Sequence, residues 1–128
     1  VDLRSLIDRD PEDARALNAL GYMLSVHRPE RLSEARELVE RALALTPDDA
    51  AVIDSMGWIE FQLGNVDAAY AYLTRAYQQL EDPEIAAHLG EVLWTMGREQ
   101  EARKIWDDAL VRAPDHRVLN ETVERLTQ

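Results

Sequence analysis

Three histidines, His27, His88 and His116, are the first residues to weigh for chemistry. A metal centre or an acid–base site needs several such side chains converging on one point. His88 comes closest, because Glu84, His88 and Glu91 stand at i, i+4 and i+7 and share one helical face. Three ligands on one straight helix cannot meet at a single ion without a partner element, so solvated side chains are expected there. The chain has no cysteine, which removes disulfides, thiol nucleophiles and zinc–thiolate sites. No nucleophile–base spacing and no Gly-rich phosphate loop is present. The sequence therefore predicts no catalytic residue, no metal and no cofactor, and a chain that is not an enzyme.

Binding chemistry is better supplied. Tyr22, Trp58, Phe61 and Trp94 recur along the chain, and Tyr70, Tyr72 and Tyr77 cluster in one segment. Tyr and Trp combine large contact area with a polar handle and dominate interface hot spots. The net charge of −11 opposes a phosphate backbone, so nucleic acid is not an expected partner. No apolar run reaches the roughly 18 residues of a membrane span, so no membrane insertion by this segment is expected. The chain opens at Val1 without a secretory signal pattern and reads as part of a longer or processed protein, any targeting signal lying upstream.

What positions these side chains is a repeat. Gly21, Gly57 and Gly90 each follow Leu or Met inside an apolar helical pattern. Ala35, Ala69 and Ala102 follow them in order, and Ala42, Ala76 and Ala109 come seven residues later. Both alanine series are spaced by 34 and then 33 residues; the glycines are spaced by 36 and 33. The two extra residues fall in the turn around His27-Arg28-Pro29-Glu30. A mid-helix glycine costs ~1 kcal/mol relative to alanine, so repeating it three times implies close helix approach. All nine small residues should be buried at helix contacts. The periodicity predicts eight helices, at 2–9, 12–26, 32–45, 50–62, 66–79, 83–96, 99–112 and 116–127, with Gly64 and Gly97 closing two of them.

The strings LNALGYML, IDSMGWIEFQLG and AAHLGEVLWTMG, paired with EARELVERALALTP, AAYAYLTRAY and EARKIWDDALVRAP, resemble the two helices of tetratricopeptide (TPR) units. Pro47 and Pro114 fill the place after the second helix; Glu81 departs from it, with Pro83 two residues on. The resemblance implies an all-α solenoid of antiparallel helix pairs with a right-handed superhelical twist. It divides one TPR domain, 1–128, into the second half of a preceding unit at 1–13, units at 14–49, 50–82 and 83–116, and a capping helix at 117–128. Leu3, Leu6 and Ile7 of the half-unit would lack part of their cover and make a sticky edge.

In such a solenoid the first helices line a concave groove. By register the groove takes Arg15, Asn18, Tyr22 and Ser25, then Asp54, Trp58, Phe61 and Gln62, then Glu84, His88, Glu91 and Trp94. Phe61 and Trp94 have packing between neighbouring first helices as the competing reading. Glu60 stands where the family places an apolar residue, so it either reaches the groove edge, reads a ligand, or pairs with an arginine or an aromatic. The segment 50–82 carries six charged residues against eleven in each neighbouring unit, and its second helix is rich in tyrosine. Tyr70, Tyr72 and Tyr77 thus form an alternative, convex contact patch. Groups for clamping a partner carboxylate are confined to Arg15 and Asn18.

The sequence predicts a scaffold or adaptor that binds a protein or peptide in this groove, with weak self-association through the convex tyrosines or the N-terminal edge as the alternative. The wording LNALGYML, VIDSMGWIEFQLGN and DPEIAAHLGEVLWTMGREQEARKIWDDAL resembles the C-terminal repeats of bacterial outer-membrane TPR lipoproteins. That resemblance implies the periplasmic face of the outer membrane, with the cytoplasm as the alternative, and an envelope protease as partner.

Overall fold

The computed structural model describes residues 3–128, without the side chains of Leu3 and Leu6. Eight α-helices follow one another: α1 (Leu3–Arg9), α2 (Ala14–His27), α3 (Leu32–Leu45), α4 (Ala50–Gln62), α5 (Val66–Gln79), α6 (Pro83–Thr95), α7 (Glu99–Arg112) and α8 (Arg117–Thr127). All eight expected helices are present, with ends within two residues of expectation where described; Asp2 lies outside the described residues. The two extra residues of the first turn form part of a short 3-10 segment, Pro29–Arg31.

The capping chemistry repeats as the helices do. Asp13, Asp49 and Asp82 cap α2, α4 and α6, their side chains accepting from backbone N–H groups of the first turn. His116 does the same for α8, accepting from the Leu119 N–H at 3.2 Å. By this register α8 occupies a first-helix place. Gly64 and Gly97 follow α4 and α6 at φ of +90° and +82°, a conformation that suits glycine. The turn after α2 needs no such glycine, because its extra residues let the chain leave through the 3-10 segment.

Each first helix packs on the second helix that follows it, and the first helices α2, α4, α6 and α8 stand side by side. All nine predicted small residues are buried. The reason is visible at Gly57: a Cβ there would stand 2.7 Å from Leu73 Cγ and 3.0 Å from Tyr72 Cβ. At Gly90 it would run into the Trp106 indole, itself only 1% exposed. Successive second helices are tied by arginines to carbonyls two residues beyond the preceding second helix. Arg41 donates to Pro11 O at 2.9 Å, Arg75 to Pro47 O at 2.6 Å and Arg112 to Glu81 O at 2.6 Å.

The expected sticky edge is corrected in part. Ile7 is buried, 5% exposed, in the core with Leu17 and Leu20, so α1 covers it against α2. The expectation for Leu3 and Leu6 lies outside the described side chains.

Candidate interaction face

The first helices α2, α4 and α6 place their middle turns next to one another, and the side chains there interlock. Tyr22 of α2 donates its hydroxyl to Glu84 Oε2 of α6 at 2.8 Å, spanning 62 residues. Burial pushes the Tyr22 phenol well up, and the Glu84 hydrogen bond and negative charge push it further. Below that bridge, Asp54 Oδ1 of α4 and His88 Nδ1 of α6 lie 2.8 Å apart. An ionised carboxylate can only accept, so against it Nδ1 carries the hydrogen. His88 lies on the Trp58 ring, centroids 4.1 Å apart at 17°, and Phe61 is 5.3 Å from Trp58 on its own helix. The Tyr22 and His88 rings are 6.2 Å apart.

Two expectations change here. Asp54 and His88 were expected to stand open in the groove; they are 7% and 4% exposed. Each satisfies the other across the α4–α6 junction, and Trp58 and Tyr22 cover them, which makes the burial of two polar groups tolerable. Trp58 and Phe61 are half-buried, as are Tyr22, Glu84, Asn18 and Gln62. Ser25 is buried and donates to Tyr22 O, while Gln62 Nε2 donates to Ser25 O at 2.8 Å. Arg15 is exposed and makes no ion pair among the described residues. It borders a trough of about 550 Å³ with Asp13, Asn18, Asp49 and Ala51. Asn18 Oδ1 is buried there without a hydrogen-bond partner.

Glu91 and Trp94 are drawn away from the middle of this face. Glu91 accepts from Arg125 of α8 at 2.6 Å, which raises the Arg125 pKa. Trp94 is half-buried, 5.6 Å from Trp106, with the Arg103 guanidinium 5.1 Å over its ring.

Glu60 is neither at the groove edge nor open to a ligand. It is 5% exposed, and its Oε1 lies 3.0 Å from Arg36 Nε of α3 without an aligned hydrogen bond. The register explains the pair. One repeat later the same two places hold Tyr70 and Leu93, both lining an apolar trough of about 320 Å³ between α5 and α7. The ion pair thus occupies an inter-repeat junction that is apolar one unit further on.

The convex tyrosines are engaged rather than open. Tyr72 packs over Gly57 and is half-buried. Arg98 lies 4.9 Å over the Tyr70 ring, and Arg112 donates to the Tyr77 hydroxyl at 2.9 Å. Asp54 and His88 are 34 residues apart, one more than the 33 between Gly57 and Gly90, so the period brings them near one another without marking them as a pair. Tyr22–Glu84 skips a whole unit, so no period signals it.

Helix pairs stacked in register, with small residues at every crossing, define a helical-repeat solenoid. A tetratricopeptide-repeat family model matches residues 2–50 and 55–117, and the chain belongs to that family. A TPR repeat-containing protein of Pseudomonas aeruginosa is 52% identical over 126 residues, a match taking in 98% of this chain and 21% of that protein. A mouse protein O-mannosyl-transferase is 28% identical over 124 residues, 90% of this chain and 13% of that protein. The chain thus spans about a fifth or less of these relatives. Among solved structures, a thermophilic TPR protein of Thermus thermophilus matches with a TM-score of 0.79 and 25% identity, over 98% of this chain and 69% of that one. YrrB, described as a TPR protein with an unusual peptide-binding site, matches with a TM-score of 0.72 and 20% identity, over 86% of this chain and 56% of that one. The fold is that of protein-interaction scaffolds in general.

Proposed function

We propose that this chain is a non-catalytic scaffold that takes up a partner polypeptide on the face of α2, α4 and α6, and that it favours partners presenting lysine, arginine or amide side chains. The observation that carries the reading is where its sheltered carboxylates find their partners. Seven carboxylates among the described residues are less than fully exposed. Asp13 and Asp82 cap helices, and Glu34, Glu60 and Glu91 pair with arginines. Asp54 and Glu84 have no lysine or arginine; their partners are His88 and Tyr22. A cation arriving from a partner meets Glu84, which no lysine or arginine of the chain neutralises, while Asp54 lies beneath it against His88. Tyr22 and Trp58 border that acidic centre, Phe61 stacks beside Trp58, and Arg15 and Asn18 line the separate trough along α2; the half-buried aromatics supply contact area.

YrrB's description as a peptide-binding TPR protein agrees with this reading. The convex alternative is less well supported, because Tyr70, Tyr72 and Tyr77 are already packed or bonded within the chain. An envelope protease as partner, at the periplasmic face of the outer membrane, rests on the resemblance in sequence wording.

Matched sets of fluorescent peptides that differ only in Lys/Arg against Asp/Glu content test the proposal by anisotropy. Basic peptides should bind, more weakly as salt rises, and Glu84→Gln should weaken them several-fold. Preference for acidic peptides, or equal affinity for Glu84→Gln and the parent, would refute it.

A further inference from the structure

The second helices allow a comparison at fixed register. Two open troughs of nearly equal size lie one repeat apart, about 330 Å³ between α3 and α5 and about 320 Å³ between α5 and α7. The places that line them correspond. Arg36, Glu40 and Tyr72 line the first, and one period later Tyr70, Thr74 and Ile105 line the second. Met56 of α4 gives way to Leu89 of α6, and Glu60, which pairs with Arg36 at the first junction, gives way to Leu93. The fold therefore accepts charge at these places. The apolar lining between α5 and α7 is a property of this junction and not a requirement of the solenoid.

Tyr70 and Tyr77 stand as walls of the second trough, and neighbouring arginines fix both rings. Arg98 lies 4.9 Å over the Tyr70 ring and 3.4 Å from its hydroxyl, and Arg112 donates to the Tyr77 hydroxyl at 2.9 Å. Leu89 and Leu93 are buried beneath them, and Ile105 is half-buried. The charged groups along the trough are exposed, and each carboxylate is answered within the chain: Glu101 by Arg98, and Asp108 by Lys104 at 3.4 Å. In a chain of net charge −11 this is a neutral, apolar opening.

We propose that the trough between α5 and α7 seats one uncharged aromatic side chain of a partner polypeptide. Size, shape and charge select that occupant. The volume is at the bottom of the roughly 300–1,000 Å³ of ligand sites, room for one large side chain and not for a length of chain. The two tyrosine rings favour a third ring, because aromatic pairs gain more than their buried area supplies. The internally paired rim attracts neither sign of charge, unlike Glu84 among the first helices. A polypeptide is the source that suits a fold of protein-interaction scaffolds. The seat lies on the second-helix layer and does not depend on the acidic centre, so both can be filled at once.

The test titrates the isotope-labelled chain with an uncharged peptide, acetyl-Gly-Ser-Phe-Ser-Gly-amide, and with versions carrying alanine, lysine or aspartate in the central place. The methyl signals of Leu89, Leu93 and Ile105 are followed. The phenylalanine peptide should move them at low-millimolar concentration, and the other three should bind at least several-fold more weakly. Thr74→Glu and Tyr70→Arg give the trough the residues that line its counterpart, so neither asks the fold for a residue it does not already hold there. Each should weaken the phenylalanine peptide several-fold and leave the signals of α2 and α4 in place. Unmoved methyl signals, a response centred on Trp58, or equal affinity of both variants and the parent would overturn the proposal. So would movement of the same signals as the chain's own concentration rises, since a second copy would then be the occupant. Tighter binding of free indole than of the peptide would overturn it as well, by making the trough a small-molecule site.

Discussion

Tyr22 carries a hydrogen bond to a carboxylate from one end of the face to the other, and its behaviour with pH is determined by that position. The folded phenol holds its proton to higher pH than in the unfolded chain, where its value is about 10. Above about pH 10 the unfolded chain binds fewer protons than the native one, so this stabilisation is present below that pH and is lost as pH rises. Tyr22→Phe removes a bond worth about 1.5–3 kcal/mol at neutral pH and also removes this alkaline loss. Urea denaturation should show the variant less stable at pH 8 and the gap narrowing by about pH 11; parallel pH profiles would contradict the assignment. Glu60 gives a second prediction. Its pair with Arg36 is buried on one side only and poorly aligned, and a leucine holds the equivalent place one repeat later. Glu60→Leu should leave stability unchanged or raise it by about 1 kcal/mol. A loss of more than about 1 kcal/mol in the same assay would show that the ion pair, not the space, matters. The nine small residues were legible in the sequence because each type recurs at one period. The burial of Asp54 and His88 was not, because a polar side chain on a groove-facing register reads as solvated until its partner on the next helix is seen.

At the scale of helices, the glycines separate two causes. Gly57 is small because α5 is close, and Gly64 because its backbone is left-handed. Gly57→Ala gains ~1 kcal/mol of helix propensity and meets overpacking of ~1–3 kcal/mol against Leu73 and Tyr72, so a net loss is expected. Gly64→Ala meets no neighbouring atom, and its expected loss of about 1 kcal/mol is conformational. Thermal melts of both check this; a raised midpoint for Gly57→Ala would mean that α5 moves away freely. Helix existence and order were legible because apolar periodicity and the Gly64 and Gly97 stops agree along the chain. The 3-10 segment was legible only as two surplus residues, since spacing counts residues and does not give their path.

For the whole molecule, the solenoid makes neighbouring first helices one surface, and it is on this surface that we propose partners bind. Amide chemical shifts of the isotope-labelled chain, recorded with and without a bound basic peptide, test it most directly. Binding on this face should give the largest changes on α2, α4 and α6 around Asn18, Tyr22, Trp58 and Glu84, with the Trp58 side-chain signal among them. Changes concentrated on α5 and α7 around Tyr70, Tyr77 and Ile105, with the first helices silent, would contradict it.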